Sequence, residues 1–250
     1  LTGCRNVAAG RSSLRCNTTG VGNVGLGYYA LCSNTTGVGN VTVGNLSMRL
    51  NQGGSYNIAM GCGALYSNVA GTNNTALGFR SLFSNTASNN TAVGFYALRS
   101  NTTGIYNTAV GRTSMQANTV GTRNTAVGYS SLRCNTIGSY NVALGPRTLL
   151  LNTTGAGNTA VGYRSMEANI VGTNNTALGR YSLFCNTASN NTAVGYSALR
   201  ANTTGCQNTA VGNFSLACNT VGLYNTAVGL SSLCSNTSGN FNAALGRSAL

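Results

Sequence analysis

One phrase, Asn-Thr-Ala-Val-Gly and its close variants, recurs from one end of the chain to the other, and no other feature constrains the fold as strongly. With its Asn as position 1, that position falls at Asn6, Asn23, Asn40, Asn57, Asn74, Asn90, Asn107, Asn124, Asn141, Asn158, Asn175, Asn191, Asn208, Asn225 and Asn242. The spacing is 17 residues, except after Asn74 and Asn175, where it is 16. Both short units close with Asn-Thr-Ala-Ser-Asn-Asn (85–90 and 186–191) and lie 101 residues apart, so a six-unit period overlies the short one. Helical repeats need about 33 residues or more. A 17-residue unit dense in Gly is therefore one coil of a β-solenoid.

The invariant positions say how such a coil is built. Position 5 is Gly in every unit, from Gly10 to Gly246, position 9 is always Leu or Met, and position 12 is Asn from Asn17 to Asn236. Position 8 is small, and position 4 is apolar. Positions 2–4, such as Thr192-Ala193-Val194, form a short β-favouring run ended by Gly. Positions 8–10 are predicted as a second short strand. Gly at positions 5 and 15, with Asn at 1 and 12, are predicted to turn corners in left-handed backbone; Gly78, Gly94, Gly111, Asn74, Asn90 and Asn107 are examples. Coils stacked about 4.8 Å apart would align like residues in columns, with amide ladders along the Asn columns. The expected fold is all-β: a parallel β-solenoid of about fifteen coils. Positions 2–4 read as covered on both faces, so one face fills the coil and the other calls for a second copy of the chain.

Composition narrows the function. The chain has 250 residues and 14 basic groups, all arginine; Glu167 is its one acid, and Lys, Asp, His and Trp are absent. General acid–base catalysis needs a titratable group near neutrality, and a cysteine nucleophile needs a base; no enzyme activity and no cofactor are expected. The Gly-rich phrases recur in every coil without a following Lys or helix, unlike phosphate loops. Calcium-binding rolls need Asp. None of the nine cysteines forms a C-x-x-C pair, which argues against zinc. Cys16, Cys134, Cys185 and Cys218 stand at position 11 and read as small semi-buried fillers, while the odd count leaves links between chains open. No apolar run is long enough for a membrane helix. The array, residues 1–250, is read as one continuous domain and, since it starts at Leu1 without Met and lacks capping coils, as a piece of a longer polypeptide.

Every Arg, Tyr and Phe falls at position 6, 7, 10 or 17, as does Glu167, and these are read as outward corners. The candidate surface residues are Arg99, Arg112, Arg133, Arg164, Arg200, Tyr129, Tyr163 and Tyr196. Arginine and aromatic side chains together suit anionic glycans, through bidentate contacts and stacking; they equally suit plain covering of the coil edges. Arginines spread along the chain rather than gathered into a patch argue against nucleic acid.

The phrase Asn124-Thr-Ala-Val-Gly-Tyr-Ser-Ser131 resembles the head repeats of YadA-like trimeric autotransporter adhesins, and similar repeats occur in phage tail fibres and microbial surface fibres. The resemblance covers the whole chain, though these coils are longer. It implies a left-handed parallel β-roll, intertwined or packed as a homotrimer, on the surface of a cell or virion. The resulting expectation is an extracellular structural fibre or filament segment with an adhesive exterior, assembling with itself, end to end as well as side by side. Two alternatives share the solenoid: a receptor-binding phage tail fibre, and an ice-binding protein using the Thr columns at position 2 (Thr75, Thr91, Thr108, Thr125).

Overall fold

The structure, a computed structural model, describes residues 2–250. It is a parallel β-solenoid of 17-residue coils without helix, resolved into two compact units, one reaching to Arg123 and one spanning Asn124–Leu250. The first unit carries β1 (Val7–Ala9), β2 (Val24–Leu26), β3 (Val41–Val43), β4 (Ile58–Met60), β5 (Thr75–Leu77), β6 (Thr91–Val93) and β7 (Thr108–Val110). Each pairs in parallel with the next. The second carries β8 (Thr125–Val127), β9 (Val142–Leu144), β10 (Thr159–Val161), β11 (Thr176–Leu178), β12 (Thr192–Val194), β13 (Thr209–Val211), β14 (Thr226–Val228) and β15 (Ala243–Leu245), paired in the same way. The strands occupy positions 2–4, and like residues face each other, as in Ala160↔Ala177 and Val194↔Val211.

The pleat sets what each strand residue does. Position 3 points inward: Ala59, Ala92, Ala126, Ala177 and Ala210 are fully buried. Opposite them sit the small position 8 and the Leu or Met of position 9, also fully buried at Leu31, Met48, Leu98 and Leu199. The core is thin, and Gly25 shows how thin: a Cβ there would lie 2.6 Å from Ser13 Oγ. Positions 2 and 4 point outward and remain partly exposed, with Val43 at 38%, Leu178 at 37% and Val211 at 36%.

The second strand predicted at positions 8–10 does not form. Positions 7 and 9 both lie at positive φ, as at Tyr29 (52°) and Leu31 (50°), which breaks an extended run. The segment is a compact turn that still bonds to its neighbours. Leu14 N donates to Ala30 O at 3.1 Å, Cys16 N to Cys32 O at 3.1 Å, and Tyr29 N to Arg11 O at 3.0 Å. A left-handed leucine costs about 1–2 kcal/mol. Full burial of its side chain contributes about 1.5–3 kcal/mol in return, so the turn keeps a residue that propensity alone would reject.

The corner assignment is corrected in part. Gly78, Gly94 and Gly111 at position 5 do need glycine: their φ values are 131°, 134° and 127°, and a Cβ on Gly78 would sit 2.5 Å from Gly94 O. Position 15 does not use left-handed backbone. Its glycine is required by space, since a Cβ on Gly54 would meet Asn51 Oδ1 at 2.4 Å and Gly71 O at 2.5 Å. Nor do the asparagines turn corners.

Asn74, Asn90 and Asn107 are buried rungs of a ladder. Asn74 N donates to Asn57 Oδ1 at 2.9 Å, Asn90 N to Asn74 Oδ1 at 3.0 Å, and Asn107 N to Asn90 Oδ1 at 3.0 Å. Position 12 forms a second ladder, with Asn51 Nδ2 donating to Asn34 Oδ1 at 2.8 Å. The two ladders converge on one acceptor in each coil: Gly54 O accepts from Asn40 Nδ2 at 2.8 Å and from Asn51 Nδ2 at 2.9 Å. Amides that would otherwise be costly to bury thus join the inner wall of the coil to the coils on either side.

The two 16-residue coils show which position is dispensable. In the first, Ala87 O replaces the glycine carbonyl, accepting from Asn74 Nδ2 at 2.8 Å and from Asn85 Nδ2 at 2.7 Å. The missing residue is that of position 14, and strand register is kept, as Thr75↔Thr91 and Thr176↔Thr192 show.

Candidate functional site

The turn at positions 6–10 displays the long side chains, because alternating left-handed residues lift positions 6, 7 and 10 away from the buried 8 and 9. In the second unit it assembles a mixed aromatic and arginine surface. The Tyr163 and Tyr181 ring centroids are 5.8 Å apart, Tyr181 and Tyr196 6.4 Å, and Tyr196 and Phe214 5.1 Å. Guanidinium groups lie against the rings: Arg164 is 5.6 Å from the Tyr181 centroid and 5.0 Å from Phe184, Arg180 5.5 Å from Tyr163 and 4.9 Å from Tyr181, and Arg200 5.5 Å from Tyr181. Contacts of this kind contribute about 0.5–1 kcal/mol each at exposed sites. Hydrogen bonding by Arg180, then by Arg164, pulls the Tyr181 phenol below its usual value. Beside this cluster an open, mainly apolar groove of about 380 Å³ is lined by Phe184, Cys185, Arg200, Phe214 and Cys218 together with Ala201 and Ala217.

Of the predicted surface residues, Arg164, Arg200, Tyr163 and Tyr196 come together here. Tyr129 and Arg133 are exposed on the first coil of the same unit, outside the cluster. Arg99 and Arg112 belong to a counterpart in the first unit. There Arg99 is 4.9 Å from the Tyr96 centroid, Arg112 is 5.7 Å from Phe95, and Phe79 and Phe95 stack at 5.4 Å. Sequence reasoning missed Arg180 and Tyr181, the residues at the centre of the second cluster. The available signal was adjacency, since positions 6 and 7 of one coil bring them against Tyr163 and Arg164 of the coil before.

Glu167 is not an outward corner. It is buried, clamped by Arg147 Nη2 to its Oε1 at 2.7 Å, by Arg164 Nη2 to its Oε1 at 3.1 Å, and by Arg164 Nε to its Oε2. Burial pushes its carboxyl up, but the hydrogen bonds and charges of Arg164 and Arg147 outweigh that, and the net direction is below the usual carboxylate value. Two guanidiniums on one buried carboxylate make Glu167 a structural clasp. Every neighbouring charge outside it is positive.

Of the position-11 cysteines, Cys134 and Cys185 are intermediate in exposure, as semi-buried fillers should be, whereas Cys16 and Cys218 are exposed. All nine are free thiols. Among the described residues no three His, Cys, Asp or Glu side chains are grouped to hold a metal ion. No protein-family model, curated protein or solved structure matches the chain.

Proposed function

We propose that the chain is a segment of an extracellular structural fibre on a cell surface or virion, a left-handed β-roll assembled as a homotrimer, with the Arg/aromatic turns adding adhesion to anionic glycans. The observation that carries this reading is the outward sheet face. Its position-4 column, Val194, Val211 and Val228 among its members, stays apolar and partly exposed although the chain has its own buried core. A repeated, uncovered apolar stripe fits a partner with the same period, and another copy of the chain has it. Likeness of Asn124–Ser131 to adhesin head repeats supports the same assembly. A receptor-binding tail fibre is this architecture with a different target.

Sedimentation equilibrium tests the assembly: a trimer is expected, with Leu178→Arg combined with Val211→Arg dissociating it while circular dichroism stays unchanged. A wild-type monomer at micromolar concentration sinks the reading. Adhesion predicts retention on a sulfated polysaccharide that weakens with salt and in Arg180→Ala; equal retention of the variant removes that duty.

One observation favours a second reading. Thr159, Thr176, Thr192, Thr209 and Thr226 face one another in register on the outward face of five successive strands. Such an array suits ice binding, and thermal hysteresis in a freezing-point assay decides it: its absence removes this alternative.

A further inference from the structure

The turn carries the same ladder pattern as the strands, its inter-coil N–H groups each bonding to the carbonyl one position back in the neighbouring coil, so the two residues each bond joins are diagonal neighbours. Position 11 of one coil donates its N–H to the carbonyl of position 10 in the next: Cys134 N to Leu150 O at 3.0 Å, Cys185 N to Arg200 O at 3.1 Å. At two places both partners are cysteine. Cys16 N bonds to Cys32 O at 3.1 Å, and Cys218 N bonds to Cys234 O at 3.2 Å. A one-residue offset between chains about 4.8 Å apart puts such α-carbons about 5–6 Å apart, inside the window that a disulfide spans. Cys16, Arg15 and Arg49 all lie within electrostatic reach of the Cys32 thiol.

We infer that Cys16–Cys32 and Cys218–Cys234 are two inter-coil cross-linking sites, each closing to a disulfide by exchange with a small organic disulfide and so stapling the second coil of the array to the first and the fourteenth to the thirteenth. Cys16 and Cys218 are the exposed members and react first. The Cys16 thiolate attacks one sulfur of oxidised glutathione and releases one glutathione thiolate, leaving a mixed disulfide. The Cys32 thiolate then attacks Cys16 Sγ and displaces the second glutathione thiolate. The protein loses two thiol protons and two electrons, and one glutathione disulfide becomes two thiols. Cys32 is buried, and burial pushes its thiol up against the opposing pull of Arg15 and Arg49, so the second step is the slower one. Cys234 is better exposed and follows the same route. Cys134 and Cys185 occupy the same position as Cys16 and Cys218 but face Leu150 and Arg200, so they have no resolving partner.

The test incubates the whole chain in glutathione buffers of rising oxidised fraction, alkylates the remaining thiols, and maps peptides after chymotryptic cleavage. Tyr28 and Tyr29 separate the first pair, and Tyr224 the second. Expected are linked peptides joining Cys16 to Cys32 and Cys218 to Cys234. Although Cys16 and Cys218 are more exposed than Cys134 and Cys185, they should carry at least about tenfold less glutathione adduct, because an intramolecular thiol resolves it. In Cys32→Ser the adduct on Cys16 should accumulate to the level of Cys185, a readout that does not depend on the oxidised protein staying folded. Equal adduct at all four position-11 cysteines, or Cys16 linked mainly to another chain, overturns the inference.

Discussion

The two-coil segment 57–89 in the first unit and its counterpart 158–190 in the second share a plan and differ in how well it closes. Each sets a 17-residue coil beside a 16-residue one. Within regular coils the position-12 ladder is continuous, with Asn152 Nδ2 donating to Asn135 Oδ1 at 2.8 Å and Asn169 Nδ2 to Asn152 Oδ1 at 3.0 Å. At the short coil of the second unit the rung stretches, Asn186 Nδ2 to Asn169 Oδ1 at 3.4 Å. In the first unit it fails: Asn68 Oδ1 is buried without a partner. The oxygen side of the rung is alike in both: Asn85 Oδ1 accepts from Asn90 Nδ2 at 3.3 Å and Asn101 Nδ2 at 2.7 Å, and Asn186 Oδ1 from Asn191 Nδ2 at 3.4 Å and Asn202 Nδ2 at 2.7 Å. Removing position 14 leaves the strands in register, so its effect is confined to one ladder on the far side of the coil. Coils of both lengths keep the carbonyl where the ladders meet, from Gly or from Ala, and position 14 is a spacer.

The sharpest way to break this comparison is at position 15. Gly54→Ala drives a methyl into Asn51 Oδ1 and the Gly71 carbonyl and should cost more than about 3 kcal/mol. Ala87→Gly in the short coil should cost less than about 1 kcal/mol. Denaturant unfolding measures both. Similar losses would mean that the short coil is built like the others.

The ladder itself is the next test. Asn152→Ala removes donors to Asn135 Oδ1 and Gly155 O and the acceptor of Asn169, for about 3 kcal/mol. Asn68→Ala loses two donated bonds but also removes an unpaired oxygen, so about 1–2 kcal/mol is expected. If Asn68→Ala proves the more damaging, its oxygen is not an orphan.

A third effect arises where the copies differ in chemistry. The counterpart of Glu167 is Tyr66, which stacks on Phe83 at 5.0 Å, whereas Glu167 holds two arginines. A carboxyl lowered in the folded state stabilises above its unfolded value near 4.5 and loses that contribution as pH falls through the folded value. The second unit should therefore weaken as pH falls below about 4.5, a loss kept modest because both arginines reach solvent. Glu167→Gln should remove this pH dependence, and hydrogen exchange in coils 141–174 reads it. The smallest change expected is a gain of about 1 kcal/mol on inserting Gly between Thr86 and Ala87, which restores position 14 and the missing rung.

Much of this was legible in the repeat, and the reasons are physical. In-register stacking forces like residues into columns, so the Asn6–Asn23–Asn40 ladder, the strands at positions 2–4 and the buried position 9 could be inferred from spacing alone. The turn could not. Leu and Ser favour extended backbone or helix, and only packing against a thin core holds Leu14 and Ser12 at φ of 50° and 59°. Reading straight columns hid the pairing of Cys16 with Cys32, which runs diagonally from position 11 of one coil to position 10 of the next. Glu167 was placed outside by its position, 10, and two guanidiniums at position 7 of adjacent coils reverse that.

The convergence of both amide ladders on a single carbonyl has a further consequence. Whatever coil is laid down leaves its neighbour the same set of unmet donors and acceptors, so adding another solves no new packing problem and meets no built-in stop. Copying a stretch of six coils at the level of the gene would lengthen such a chain without any residue having to change, and the 101-residue echo in this sequence reads as the mark of that growth.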